Sequence, residues 1–322
     1  MIKKVYNLEF RPYSNEMKIG DYIFKRVEDY PEKRMKLQHL GGISDSEFTT
    51  VESEGSNQIT ATVDCPEKER ASIFPCSDEN TTHLQDVLLL LTIFTKRNVF
   101  SIDDDEKGLI VADCRQHNYG GSLTCSLPYQ GEIFDKTTMK ILDIKQYDEY
   151  QYPHRCQTRD ITLEKGINKI LDLISKKEWQ QKYGKGYYLF LYRQAVEPMN
   201  IEAHFILCWT IWEHLFSLHN KKWLPEKSLE KTSGSEKIAY ILTEYFVHEL
   251  DSNAHKEISK LKDARDRIIH FGKRPTTINL EDMGLFIHAT ECLVAKTLEL
   301  NPSQIYDVDK RLAKFLHISK AS

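Results

Sequence analysis

The sequence predicts an α+β protein of two parts, a β-rich domain over residues 1–158 and an all-α helical bundle over residues 159–322. Three observations predict it. A chain of 322 residues is long enough to bury two separate cores. The first half is written in short stretches of strand-forming residues broken by Gly, Asn, Asp and Pro. After "DEYQYPHRCQTRD", residues 148–160, apolar residues recur at the helical period instead.

In chain order, the predicted strands are "KVYNLEF", "DYIFKRV", "EFTTVES", "NQITATVDC", "GLIVADC" and "GSLTCSLPY". One helix interrupts them, "HLQDVLLLLTIFTKR" from residue 83, apolar on nearly every face and therefore a helix packed inside the domain. The second half reads as helices over 160–177, 186–197, 200–220, 234–251, 254–271 and 279–299. Asn200, after Pro198, is an N-cap candidate for the third, and Ser235 and Asp251 are cap or loop residues for later ones.

A net charge of −4 excludes a constitutively basic nucleic-acid coat but leaves room for a local basic cleft. The seven cysteines form no CxxC pair and lack the density of a secreted disulfide scaffold, so they read as reduced thiols. "MIKKVYNLEF" has no signal-peptide core, and the longest apolar run, "VLLLLTIF" at 87–94, is too short for a bilayer. These features predict a cytoplasmic protein that does not engage a membrane.

The stretch "ARDRIIHFGKRP", residues 264–275, raises the functional question. Ile258, Leu261, Ala264, Ile268 and Ile269 gather on one side of the helical wheel, and Arg265 falls inside their arc. An arginine there must snorkel, find a buried partner or face a cleft. Gly272 is the candidate left-handed cap, and Pro275 prevents a quick restart, which leaves His270 near a helix end. On the helix at 201–219, Phe205, Ile206, Leu207, Trp209, Ile211, Trp212, Leu215 and Phe216 dominate, and Glu213 is the acid in its second half. Burying Glu213 alone would be costly, and Arg265 is the cation expected to pair with it.

"WTIWEHLF", followed by "SGSEKIAYILTEYF" and then "LKDARDRIIHFGK", resembles the HEPN superfamily, most closely its ApeA-like branch. The resemblance covers residues 160–300 and rests on the family's Arg, four to six intervening residues and His, here Arg265, Asp266 and His270. That spacing alone recurs by chance roughly once or twice in a chain of this composition. Arg34 to His39 and Arg311 to His317 also fit it, but neither has the acid after the arginine, the Trp-Glu helix before it or the Phe-Gly stop after it.

The resemblance implies a metal-independent endoribonuclease without a cofactor, leaving a 2',3'-cyclic phosphate and a 5'-OH. His270 would act as base toward the ribose 2'-OH, a task suited to an imidazole. Arg265 would hold the scissile phosphate, and Asp266, four residues before His270, would orient the imidazole. Arg265 and His270 lie about 140° apart on an ideal helix. The resemblance answers this with a homodimer that brings two motifs to one cleft, flanked by Arg267, Lys273 and Arg274 as further phosphate contacts. It also implies a role in stress or anti-phage defence, as a toxin or a triggered nuclease, with the N-terminal domain sensing a regulatory ligand or protein partner. The competing reading is a non-catalytic binding or dimerisation module in which Arg265 and Glu213 form a structural pair.

Other signals carry less. Cys114, His117 and Cys125, with Cys65 and Cys76, do not form the paired knuckles of structural zinc. "HNYGGS" at 117–122 lacks a P-loop's Lys-Ser/Thr and reads as a hairpin turn. "DDDEKG" at 103–108 reads as an acidic turn, and "KKWLPEK" at 221–227 as a solvated interhelix loop.

Overall fold

The computed structural model describes residues 1–6, 8, 16–27, 52–53, 56–57, 61–74, 82–95, 99–102, 133–135, 140–142, 163–196, 201–247, 249–276, 278–302 and 310–316. It shows a mixed protein, with an antiparallel sheet near the N-terminus and helices through most of the rest. The chain forms two compact units; Met1–His117 and Cys125–Ser175 make the first, Asn118–Thr124 and Lys176–Ser322 the second.

The first unit is built on a five-stranded sheet in the order β2-β3-β6-β1-β7. Its strands are β1 (Ile2–Tyr6), β2 (Glu16–Ile19), β3 (Tyr22–Arg26), β6 (Ala61–Asp64) and β7 (Phe100–Ile102). Every pairing is antiparallel. Two short ribbons, β4 (Glu52–Ser53) with β5 (Ser56–Asn57) and β8 (Ile133–Asp135) with β9 (Lys140–Leu142), stand apart from it. Strand β2 was not among the predicted strands, although its Met17 and Ile19 are buried while Glu16 and Lys18 face out. Ile19 pairs directly with Tyr22, so Gly20 and Asp21 make a two-residue turn, and Gly20 takes the left-handed φ of 57° that such a hairpin needs. The predicted strands over 108–114 and 121–129 lie outside the described residues.

Helix α1 (His83–Thr95) is as buried as its composition predicts, with Leu84, Val87, Leu88, Leu89, Leu90, Leu91, Ile93 and Phe94 all in the core. Asp86, 1% exposed, anchors the preceding chain. It accepts from the Ile73 N–H at 2.8 Å, the Phe74 N–H at 3.4 Å and the Ser72 hydroxyl, and His83 Nδ1 lies 2.8 Å from it. Helix α2 (Leu163–Ile174) belongs to this unit, which moves the boundary from the expected 158/159 to Ser175/Lys176. The reason is packing: α2 lies on α1 and β2. Its Asn168 Oδ1 accepts from the Gly20 N–H at 2.7 Å, and its Nδ2 donates to the Lys18 carbonyl at 3.4 Å.

The second unit is helical. Its elements are α3 (Lys177–Lys182), α4 (Tyr187–Val196), α5 (Ile201–Asn220), α6 (Glu226–Lys231), α7 (Gly234–Tyr245), α8 (Ser252–Phe271), α9 (Leu280–Thr297) and α10 (Lys310–Leu316). The core sits between α5 and α9, where the Phe286 ring lies 5.4 Å from Phe205, 5.2 Å from Trp209 and 5.4 Å from Trp212. Offset aromatic contacts of this kind add to the burial of their area. Polar atoms drawn in with the rings find partners: Trp212 Nε1 donates to Thr290 Oγ1 at 2.9 Å, and Trp179 Nε1 to the Thr297 carbonyl at 2.9 Å. Among the described residues, no helix is long and apolar enough to cross a membrane.

Caps set the ends of the helices that carry the site. Ser233, two residues before the cap or loop candidate Ser235, caps α7, which begins at Gly234 as expected. Its hydroxyl accepts from the Glu236 N–H at 3.2 Å while Glu236 Oε2 accepts from the Ser233 N–H at 2.8 Å. Asp251 caps α8, accepting from the Ala254 N–H at 2.7 Å. Asn200 lies outside the described residues. At the other end of α8, Gly272 adopts φ 62° and its N–H reaches the Ile268 carbonyl at 2.9 Å, as its sequence position predicts.

Candidate functional site

The site is the C-terminal half of α8 and the loop after it. Ala254, Ile258, Leu261 and Ala264 are buried and define the inner face of the helix. Ile268 is half-buried, but Ile269, expected on that face, is 48% exposed because it lies at the edge of the arc. On the same wheel His270 falls about 180° from the centre of the buried arc, and it is exposed. The last helical residue, Phe271, is 71% exposed.

Arg265 falls inside the buried arc and snorkels, its side chain 29% exposed. Its Nη2 lies 3.8 Å from Glu213 Oε2 on α5, and its Nη1 donates to Asp266 Oδ1 at 3.0 Å. Its Nε is buried without a hydrogen-bond partner among the described residues. Glu213 sits at the edge of the apolar stripe, 24% exposed, with Oε1 3.4 Å from the position a Cβ would take on Gly234. That places a carboxylate at the positive end of the α7 dipole, a second favourable setting besides Arg265. The expected pair therefore forms, but at the margin of the core and in three-way company.

This geometry changes the expected strength of the pair. A fully buried pair would cost about 3 to 5 kcal/mol to break. With both partners partly in water and Asp266 still beside the guanidinium, Glu213→Ala is expected to lower stability by only about 1 kcal/mol in a denaturant melt. A loss above about 3 kcal/mol would show that the pair carries the packing of α8 on α5.

Asp266 is committed elsewhere than expected. Its Oδ1 accepts from Arg265 and its Oδ2 from Lys262 Nζ at 2.7 Å. Partial burial pushes its carboxyl up, but these hydrogen bonds and the two cations outweigh that and hold it below the usual carboxylate range. No hydrogen bond joins it to His270 among the described residues, so the orienting role has no contact behind it. The imidazole has the Phe271 ring beside it instead, 6.4 Å between centroids and nearly edge to face.

Arg267 is the cation nearest His270 in helical register, one turn away at i, i+3 and about 60° round the wheel. It is exposed, and it makes no ion pair or hydrogen bond to another described residue. It lines an open cleft of about 390 Å³ with Asp263, Asp266, Pro275 and Thr276. Lys273 is exposed and Arg274 half-buried, with Nη1 buried and lacking an acceptor among the described residues. The structure thus gathers His270, Arg267, Lys273 and Arg274 at one helix end and leaves Arg265 on the inner side. Sequence reasoning named Arg267 but missed Phe271, whose i, i+4 spacing from Arg267 was the available signal.

The other occurrences of the spacing do not build a second site in the described residues. Arg311 on α10 is tied to Asp282 and lies 3.6 Å from Glu257. Arg34, His39 and His317 lie outside the described residues, as do the acidic turn at 103–108, the glycine-rich turn at 117–122 and four of the seven cysteines. Cys65, Cys208 and Cys292 are buried and form no disulfide among the described residues, and no group of metal-ligating side chains is found among those residues.

No protein-family model matches this chain, and neither does any curated protein or solved structure.

Proposed function

We propose that the chain is a metal-independent endoribonuclease of the HEPN type, acting in the cytoplasm in stress or anti-phage defence. The observation that carries the reading is the exposed His270 near the end of α8, one turn from Arg267, which lines an open cleft, and followed in the chain by Lys273 and Arg274. The sequence resemblance over α5, α7 and α8 supplies the reaction class, and no cofactor enters it.

In this reaction His270 takes the proton of a ribose 2'-OH, and the 2'-oxygen attacks the adjacent phosphorus. The P–O5' bond breaks, and the leaving oxygen takes a proton from solvent to become a 5'-OH. The other product ends in a 2',3'-cyclic phosphate. Cations beside the phosphate stabilise the charge that develops on its oxygens. Arg265 lies about 140° from His270 round α8, so an Arg265 released from Glu213 and Asp266 meets the phosphate beside His270 by bending round the helix or by coming from a second copy. The proposal includes a homodimer for this reason, and the N-terminal unit as the part that receives a trigger.

A second reading has a specific observation in its favour. Arg265 already has two carboxylate partners, Glu213 and Asp266, as it would in a helical module that binds or dimerises without catalysis. Substrate comparison separates the two. The full chain at high concentration is expected to cut single-stranded RNA and leave DNA of the same sequence intact, since DNA lacks the attacking 2'-OH. Equal cleavage of both, or of neither, would remove the ribonuclease reading.

A further inference from the structure

We propose that the face of α8 carrying Arg267 and Phe271 is a subsite for one unpaired nucleotide, its base stacked on the Phe271 ring and its phosphate held by Arg267. The inference rests on the ribonuclease reading above and narrows its substrate class to unpaired RNA.

Phe271 is the starting point. It is 71% exposed at the last position of the helix, where the turn beneath it has run past the end of the buried arc. The core gains little from this ring, and water solvates it poorly. Its surroundings are charged rather than apolar, with Asp263 and Asp266 lining the same cleft as Arg267. Arg267 lies one turn before it on the same face, Lys273 is two residues beyond it, and Arg274 has a buried Nη1 with no acceptor among the described residues. An exposed aromatic ring among uncommitted cations is the combination that binds single-stranded nucleic acid, where bases stack and phosphates pair with the charges. Asp266 is taken up by Lys262 and Arg265, so Arg267, Lys273 and Arg274 outnumber the remaining carboxylate, Asp263, and the net positive rim favours an anionic partner with flat apolar rings over an apolar one.

The placement relative to His270 gives the subsite a role. The imidazole and the Phe271 ring are 6.4 Å apart between centroids. A base lying on Phe271 therefore sets its own ribose beside the group that takes the 2'-proton. In a duplex both faces of a base are already stacked and its ribose is held in the helix, so only unpaired nucleotides can use this platform. Because every base has a π-face, the subsite selects unpaired over paired RNA without selecting a particular base.

Binding of a short fluorescent single-stranded RNA to the full chain, in a His270→Ala background so that the RNA survives, tests this. Phe271→Ala is expected to weaken binding about 5- to 150-fold, the range for loss of one base–aromatic stack. Phe271→Tyr and Phe271→Trp should bind like the parent, while Phe271→Leu should not, because the ring and not its apolar area is required. A 2-aminopurine in the RNA should be quenched on binding by the parent and not by Phe271→Ala. A duplex of the same sequence should bind all of these variants alike. Unchanged RNA binding by Phe271→Ala, or full binding by Phe271→Leu, overturns the subsite. So does conversion of a dimer to a monomer by Phe271→Ala, which would assign the ring to a second copy of the chain. If the protein with His270 intact cuts RNA normally in any of these cases, the ribonuclease reading survives the loss of the subsite. If it neither binds nor cuts RNA, both fall.

Discussion

His270→Ala is expected to lower RNA cleavage by about 100-fold or more, the contribution of a positioned general base, while changing stability by less than about 0.5 kcal/mol. The two halves of that expectation come from separate observations. The first rests on the proposed chemistry, in which the imidazole is the group that receives the 2'-proton. The second rests on placement: His270 is exposed, opposite the buried arc of α8, and the helix ends on Gly272 without its help. Cleavage assays and denaturant melts on the same preparation check both. Lost cleavage with an intact melt assigns chemistry to the side chain. A parallel fall in both would place His270 in the packing of the helix end, and cleavage that survives would move the base elsewhere.

Asp282→Ala is expected to have the largest effect on stability, about 3 kcal/mol. The Asp282 side chain is only 3% exposed and faces three elements at once. Lys260 Nζ on α8 lies 2.8 Å from it, Arg311 on α10 donates to it, and the Asn279 N–H donates to it at 3.0 Å in a capping box that starts α9. Truncation removes the box and leaves two cations facing a partly dry site. Burial pushes the carboxyl up, but the hydrogen bonds from Arg311, Lys260 and the Asn279 backbone win and hold it below the usual range. Its folded pKa is thus lower than its unfolded one, so its contribution is complete above the unfolded value, about 3.9, and is lost as pH falls through the folded value. The wild-type melting midpoint should therefore decline on acidification below about pH 4 more steeply than that of Asp282→Ala. A variant that melts with the wild type at neutral pH would show that α8, α9 and α10 hold together without this carboxylate.

The sequence made the ends of α8 readable because the signals there are local. A glycine followed by a proline specifies a left-handed stop, and an aspartate before the helix supplies a cap, whatever the rest of the chain does. The Ser-x-x-Glu at 233–236 is equally local, and the helix expected from residue 234 does begin there, capped by Ser233. The pairing of Arg265 with Glu213 was also legible, since an arginine in an apolar arc and an acid on an apolar helix each need a partner. Their degree of exposure was not, because it depends on where α7 begins beside them. The Asp282, Lys260 and Arg311 cluster could not be read at all, since nothing in three separate segments marks them as neighbours. Helix α2 was misassigned for the same reason: its periodicity identified a helix, but only the bonds of Asn168 to the β2–β3 hairpin show which unit it completes.

The relation of His270 to Arg267 and Phe271 follows from helix arithmetic once the end of α8 is fixed. What that arithmetic lacks is exposure. A ring that is 71% exposed is open to solvent, whereas the same ring under a neighbouring helix would be core.

In the proposed reaction this helix end cuts RNA by attack of the 2'-oxygen without a metal. End-group analysis of RNA incubated with the full chain in EDTA tests it most directly. Cleavage is expected to persist in the chelator and to leave 2',3'-cyclic phosphate and 5'-hydroxyl ends. Cleavage that stops when EDTA is added, or products ending in 3'-hydroxyl and 5'-phosphate, would mean that water or a metal-bound hydroxide is the nucleophile and would contradict it.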